Sequence, residues 1–194
     1  MSNSTATDVD LVGEETTLNV ARAALFAALM GAFAYVSFPY PLSPAPVTLQ
    51  VLGVFLAGLF LGPVWGAAGM VLYLLSGALG APVFSGGGAG LGVLLGPTGG
   101  YLFSYPLAAL AVGAVAHGGI ELRSLAEASG VRLIAGMALG VVVIYGIGVP
   151  YMWWNLEMTL RTAIFTGAVV FVPAEAAKMA AAIGIVRSDA IRAE

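Results

Sequence analysis

The sequence predicts an all-α, polytopic membrane protein with six transmembrane helices. Three observations predict it. First, of 194 residues, 60% are hydrophobic and only 9% are charged. A soluble domain carries about 25% charged residues, so polar material to cover a water-exposed surface is lacking. Second, positions 23–120 hold no Asp, Glu, Lys or Arg, an uncharged run of 98 residues between Arg22 and Glu121. At about 20 residues per crossing that run has room for roughly four spans. Third, the apolar stretches are continuous and lack the apolar/polar alternation of barrel strands about ten residues long. Lipid offers no hydrogen bonds, so the backbone of such stretches pairs within helices.

The elements follow in order. Residues 1–19 are polar and acidic (Asp8, Asp10, Glu14, Glu15) and read as a disordered cytoplasmic tail. A secretory signal would begin basic and run into an apolar stretch. The six-helix domain is expected over 20–187, with 188–194 as a cytoplasmic C-terminal tail. Span one is 20–38, with Arg22 at the membrane edge. Pro39, Pro41, Pro44 and Pro46 follow, too many prolines to continue a helix. Span two is 47–61, broken by Gly62-Pro63, and span three is 64–79. An uncharged, glycine-rich loop occupies 80–90, and 91–95 lead into Gly96-Pro97-Thr98-Gly99-Gly100-Tyr101. Span four is 101–116. A polar loop with Glu121, Arg123, Glu127 and Arg132 separates it from span five, 133–149. Span six is 162–186, interrupted by Pro173. Tyr151, Trp153 and Trp154 read as an interfacial aromatic belt.

Basic residues set the orientation. With both termini in the cytoplasm, Arg22, Arg123, Arg132, Arg187 and Arg192 lie inside and only Arg161 outside. That asymmetry fits the positive-inside bias and an even number of spans in the plasma membrane.

Several function classes drop out. The chain has no cysteine, which excludes disulfides and thiol chemistry. Its net charge of −3 without a basic cluster argues against nucleic acid. His117 is the only histidine, so no multi-histidine metal site can form, and no cofactor is expected. Neither G-x-x-x-x-G-K-[ST] nor G-x-G-x-x-G occurs, so any ATP-driven process requires partner subunits. A Ser85–His117 pairing for an intramembrane enzyme lacks the G-x-S-x-G elbow.

The charges kept inside the membrane remain. Glu175 and Lys178 lie three residues apart in span six and share one helix face. Ionisable groups at depth cost several kcal/mol and mark substrate paths or neutralise one another. As a ligand site, Lys178 would donate to an anionic group and Glu175 would accept from N–H donors. The segment 80–100 and the proline loop are irregular backbone, tolerated at membrane depth only where buried in protein or lining a cavity. In span one, Ala24, Ala28 and Ala32 recur at four-residue spacing. Such a small-residue face allows close helix packing, against another subunit or another helix of this chain.

The motif set resembles the BioY family, the biotin-binding subunits of energy-coupling-factor vitamin importers. The resemblance spans about residues 20 to 187. It is carried by Pro46-Val47-Thr48-Leu49-Gln50, Leu61-Gly62-Pro63, Gly80-Ala81-Pro82-Val83-Phe84-Ser85-Gly86-Gly87 and Gly96-Pro97-Thr98-Gly99-Gly100-Tyr101-Leu102. The string Phe171-Val172-Pro173-Ala174-Glu175-Ala176-Ala177-Lys178 is similar to the family's last-helix Phe-x-Pro-Gly-Asp-x-x-Lys. The resemblance implies a six-helix subunit that binds extracellular biotin and has no ATPase of its own. Its partners would be a transmembrane coupling subunit and ATP-binding subunits, with Ala24, Ala28 and Ala32 at the interface. It implies a site made of Lys178, Glu175, Thr98, Gly99, Gly100, Tyr101, Gln50, Phe84, Ser85, Gly86 and Gly87. Ala174 and Glu175 stand where the family usually has glycine and Asp. Gly88 and Leu102 stand where some relatives have Asn and Arg, so those contacts do not carry over. The competing reading is a self-sufficient secondary transporter or channel for a small organic acid, with Glu175–Lys178 as a relay. The scarcity of other intramembrane charges weakens it.

Overall fold

The computed structural model describes residues 13–126 and 128–188. Five helical runs are long and apolar enough to cross a membrane: Glu14–Tyr35, Gln50–Ala78, Gly99–His117, Gly130–Leu156 and Leu160–Arg187. We label Glu14–Tyr35 α1, Gln50–Ala78 α2, the short Leu91–Leu94 α3, Gly99–His117 α4 and Gly130–Leu156 α5. The last run divides into α6 (Leu160–Gly167) and α7 (Val172–Arg187). The first helix starts at Glu14 rather than at 20, with Glu14 and Glu15 in its first turn, where acidic side chains complement the helix dipole. The rest of the expected tail, 1–12, and the tail after Ser188 lie outside the described residues.

The expected spans two and three are joined in α2, which is not a straight rod. Gly62 has φ +75° and ψ −179°, a conformation open to glycine and closed to most residues with a Cβ. Gln50 and Tyr73 would stand roughly 35 Å apart along a straight helix. Instead, the Gln50 amide donates to the Tyr73 hydroxyl at 2.8 Å. The two legs of α2 therefore run antiparallel from a reversal at Gly62-Pro63.

The reversal leaves a backbone problem that a distant side chain solves. The Leu59 carbonyl would bond to the N–H of residue 63, which in proline does not exist. His117, at the end of α4, supplies Nε2–H to that carbonyl at 3.0 Å, and its Nδ1 faces the Arg123 backbone, 2.7 Å from the carbonyl and 3.1 Å from the N–H. The lone histidine is thus a cap for the broken helix. The turn also sits directly on α4. A methyl added at Gly113 would stand 2.5 Å from Pro63 N and 2.8 Å from the Gly62 carbonyl carbon. Close backbone approach through small residues is the main attraction between helices in lipid.

Around this α2–α4 centre pack α1 on one side and α5 on the other. The core holds Met30, Phe55, Met70, Tyr73, Phe84, Met137 and Met152, all fully enclosed. Helix α1 buries Ala23, Met30, Gly31 and Ala34 and turns Ala24, Ala28 and Ala32 outward. Between α1 and α2 the chain forms a strap, in which β1 (Ser37–Phe38) pairs antiparallel with β2 (Val47–Thr48) across the proline loop. This short ladder is the departure from an all-helical chain. Phe38 precedes Pro39, and the residue before a proline is pushed toward extended backbone.

Candidate functional site

The site is built around the interruption in the last apolar run. Helix α6 is capped by Thr159, whose hydroxyl accepts from the Thr162 N–H at 3.2 Å. It ends at Ala168 (φ −136°, ψ −58°), and one tight turn over Val169–Phe171 leads into α7. Pro173 occupies the first turn of α7, where its missing N–H leaves nothing unpaired. The break therefore lies before the proline, not at it. Glu175, Lys178 and Ala182 are buried on one face of α7, in line with Phe171 at its N-cap, at the i, i+4, i+7 and i+11 spacing of a helical stripe.

The Lys178 ammonium donates to Glu175 Oε1 at 2.8 Å. The Tyr145 hydroxyl of α5 donates to the same oxygen at 2.9 Å. Both charged side chains are enclosed, 7% exposed for Lys178 and 4% for Glu175. Glu175 Oε2 is buried and has no hydrogen-bond partner among the described residues. An unpaired buried carboxylate oxygen forfeits a charge-assisted bond and costs more than a neutral orphan, so it marks a place where a donor belongs.

These groups line a cavity of about 350 Å³, in the size range of small-molecule sites. Its walls come from the strap (Pro44, Ala45, Pro46, Thr48), α2 (Gln50, Val51), the 80–98 segment (Phe84, Ser85, Val93, Pro97, Thr98), α4 (Tyr101, Leu102, Tyr105), α5 (Ile144, Tyr145) and the α7 region (Phe171, Glu175, Lys178). Hydrogen bonds hold the walls in place. Thr48 Oγ1 donates to Gln50 Oε1 at 3.0 Å, which sets the amide that reaches Tyr73. Phe84 packs edge-on against Tyr73 at 5.5 Å. The Tyr101 hydroxyl donates to the Gly167 carbonyl at 2.8 Å, just before the helix break. Ser37 and Ser85 hydroxyls meet at 2.9 Å and tie the strap to the glycine-rich loop. Tyr40 reaches over to donate to the Val170 carbonyl at 3.3 Å.

Of the residues singled out in the sequence, Gln50, Phe84, Ser85, Thr98, Tyr101, Glu175 and Lys178 come together on this cavity. Gly86, Gly87, Gly99 and Gly100 are not among its lining residues. Gly86 and Gly87 form the turn behind Ser85, with φ +65° and +82°. Gly99 and Gly100 lie where a side chain would collide with the Leu94 carbonyl and the Tyr151 ring, so they allow α4 to close on its neighbours. His117 lies at the other end of α4, a helix of 19 residues or about 28 Å, away from Ser85. Tyr73, Tyr105 and Tyr145 were not singled out, and Thr48 figured only within the Pro46–Gln50 string. The available signal was a tyrosine in an otherwise apolar span, since a buried phenol needs a partner for its hydroxyl.

The comparisons with known proteins agree with one another. The family model described as the BioY family matches residues 3–193. The chain is 38% identical over 151 residues to Biotin transporter BioY of Thermotoga maritima, covering 78% of this chain and 83% of that one. It is 32% identical over 170 residues to Biotin transporter BioY of Rhizobium etli, covering 84% and 88%. Its fold is similar to a crystal structure of the S-component for biotin from an ECF-type ABC transporter, with TM-score 0.81. That match covers 94% of this chain and 95% of the other at 24% identity.

Proposed function

The chain belongs to the BioY family, and from that premise we propose that it is the membrane-embedded, biotin-binding S-component of an energy-coupling-factor importer. One observation carries the reading beyond family membership. An apolar, tyrosine-walled cavity contains an enclosed lysine–glutamate pair whose second carboxylate oxygen lacks a donor among the described residues.

Biotin presents a valerate carboxylate, an apolar thiophane ring and a ureido group with N–H donors. Glu175 Oε2 accepts a ureido N–H, and Lys178 holds the carboxylate. Biotin's two polar ends are separated by its rings and side chain, whereas Lys178 Nζ and Glu175 Oε1 lie 2.8 Å apart. Lys178 therefore turns on its flexible stem from Glu175 to the ligand carboxylate as the ureido group arrives. In the unliganded protein the two charges neutralise each other, which makes their burial tolerable. Phe84, Tyr101, Tyr105 and Phe171 supply the apolar walls. Thr98, Ser85 and Gln50 add polar contacts, and Gly86, Gly87, Gly99 and Gly100 shape the segments that bring them there.

The finer assignments belong to the same reading. The antiparallel legs of α2 are two crossings, which with α1, α4, α5 and the α6–α7 run makes six. Both termini and the 118–132 loop face the cytoplasm, in the plasma membrane. The outward Ala24, Ala28 and Ala32 dock on a transmembrane coupling subunit, and ATP hydrolysis belongs to separate ATP-binding subunits. The test is equilibrium binding of radiolabelled biotin to the purified protein. Saturable binding that unlabelled biotin displaces and a dicarboxylate of similar length does not is expected. No saturable binding to folded protein would overturn the proposal.

A further inference from the structure

The two donors on Glu175 are not equivalent. Lys178 is flexible, comes from the same helix as Glu175, and on the reading above leaves the carboxylate when an anionic ligand enters. Tyr145 comes from a different helix, and its ring is held on two sides. Tyr101 packs edge-on at 5.8 Å and Phe171 lies at 6.3 Å. Tyr101 is itself anchored by its bond to the Gly167 carbonyl. The phenol is therefore a fixed post with its hydroxyl 2.9 Å from Glu175 Oε1.

We infer that Tyr145 is a positioning residue for the ligand-binding carboxylate. It keeps Oε1 occupied, leaves Oε2 as the oxygen still to be paired, and prevents Glu175 from following Lys178 when the ion pair opens. Without that post, a glutamate side chain with three rotatable bonds keeps its ammonium partner by swinging with it, and the acceptor for the ureido N–H is lost. The need for a post follows from the residue type, since glutamate has one more rotatable bond than aspartate. The inference rests on the reading of this cavity as a biotin site. It assigns to Tyr145 an action exerted through Glu175 rather than through contact with the ligand.

The experiment is a double-mutant cycle with a ligand pair. Tyr145→Phe retains the ring and its aromatic contacts and removes only the hydroxyl. Biotin affinity should fall about tenfold to a hundredfold, the range for one hydrogen bond to a charged group. In a Glu175→Gln background, adding Tyr145→Phe should change affinity by less than about twofold, because non-additivity marks residues acting through one another. For a biotin methylated on both ureido nitrogens, wild type and Tyr145→Phe should bind equally, since no N–H remains for Oε2. A general structural defect would instead weaken both ligands alike. Multiplicative losses in the double variant, equal losses for both ligands, or an unchanged affinity of Tyr145→Phe for biotin would each overturn the inference. Failure of the wild type to bind biotin at all is a different result, and it would overturn the proposed function itself.

Discussion

Replacing Lys178 by methionine separates the charge of the lysine from the packing of its stem. Lys178 is enclosed and makes a 2.8 Å charge-assisted bond, and among the described residues Glu175 keeps one other donor, the neutral Tyr145 hydroxyl. In the complex Lys178 leaves that bond for the biotin carboxylate, and truncating one member of such a buried interfacial pair costs about 2–5 kcal/mol, much of it from the ligand charge left unpaired. At 1.4 kcal/mol per decade this is roughly a 30-fold to several-thousand-fold loss of biotin affinity. The assay is equilibrium binding in detergent or nanodiscs with biotin and with biotin amide. The wild type should prefer biotin strongly. Lys178→Met should bind the two within about threefold of each other, because no cation is left to tell them apart. Adding Glu175→Gln to Lys178→Met removes the stranded carboxylate, so the double variant should melt at a higher temperature than the single one. If Lys178→Met folds and binds biotin with unchanged affinity, the pair is only a mutual neutraliser and the ligand-site reasoning is wrong.

Three further outcomes are expected. In this cysteine-free chain, cysteines at Ser43, Ser85 and Asn155 should react with an impermeant thiol reagent in intact cells, and one at Ser124 should not. Labelling at Ser124 alone would reverse the orientation. Ala28→Trp, on the outward face of α1, should retain biotin binding and abolish co-purification with the coupling subunit, and intact uptake would remove that face from the interface. Gly113→Leu should lower the unfolding midpoint, because its first carbon would meet the Pro63–Gly62 backbone, which cannot yield as a side chain can. Overpacking of this kind costs about 1–3 kcal/mol, and an unchanged midpoint would mean that the reversal of α2 does not rest on α4.

The parts of the fold that were legible in the sequence were those set by local chemistry. Gly62-Pro63 announces a reversal because one residue permits a backbone angle and the next removes a donor. The proline run at 39–46 announces a strap for similar reasons. The charges at Glu175 and Lys178 stand out because lipid makes them expensive. What depends on distant pairing was not legible. Pro173 looked like the interruption of span six, but it sits harmlessly in a first helical turn and the break falls at Ala168, where Gly167 receives the Tyr101 hydroxyl. The role of Tyr145 has no sequence signal, since nothing in α5 indicates that Glu175 lies opposite. The capping role of His117 was not legible either, because it follows from a carbonyl 58 residues earlier.

The reversal of α2 also bears on how the chain enters the bilayer. Its legs, 50–61 and 63–78, contain 12 and 16 residues, about 18 and 24 Å of helix. Neither matches the roughly 20 residues that a single insertion event favours. A nascent chain that has exported only the first leg presents the translocon with a segment too short to partition on its own. Its uncapped Leu59 carbonyl then waits for a histidine not yet synthesised. On the six-crossing reading proposed above, the two legs enter lipid as one hairpin, and its closing group, the His117 imidazole, arrives only with α4.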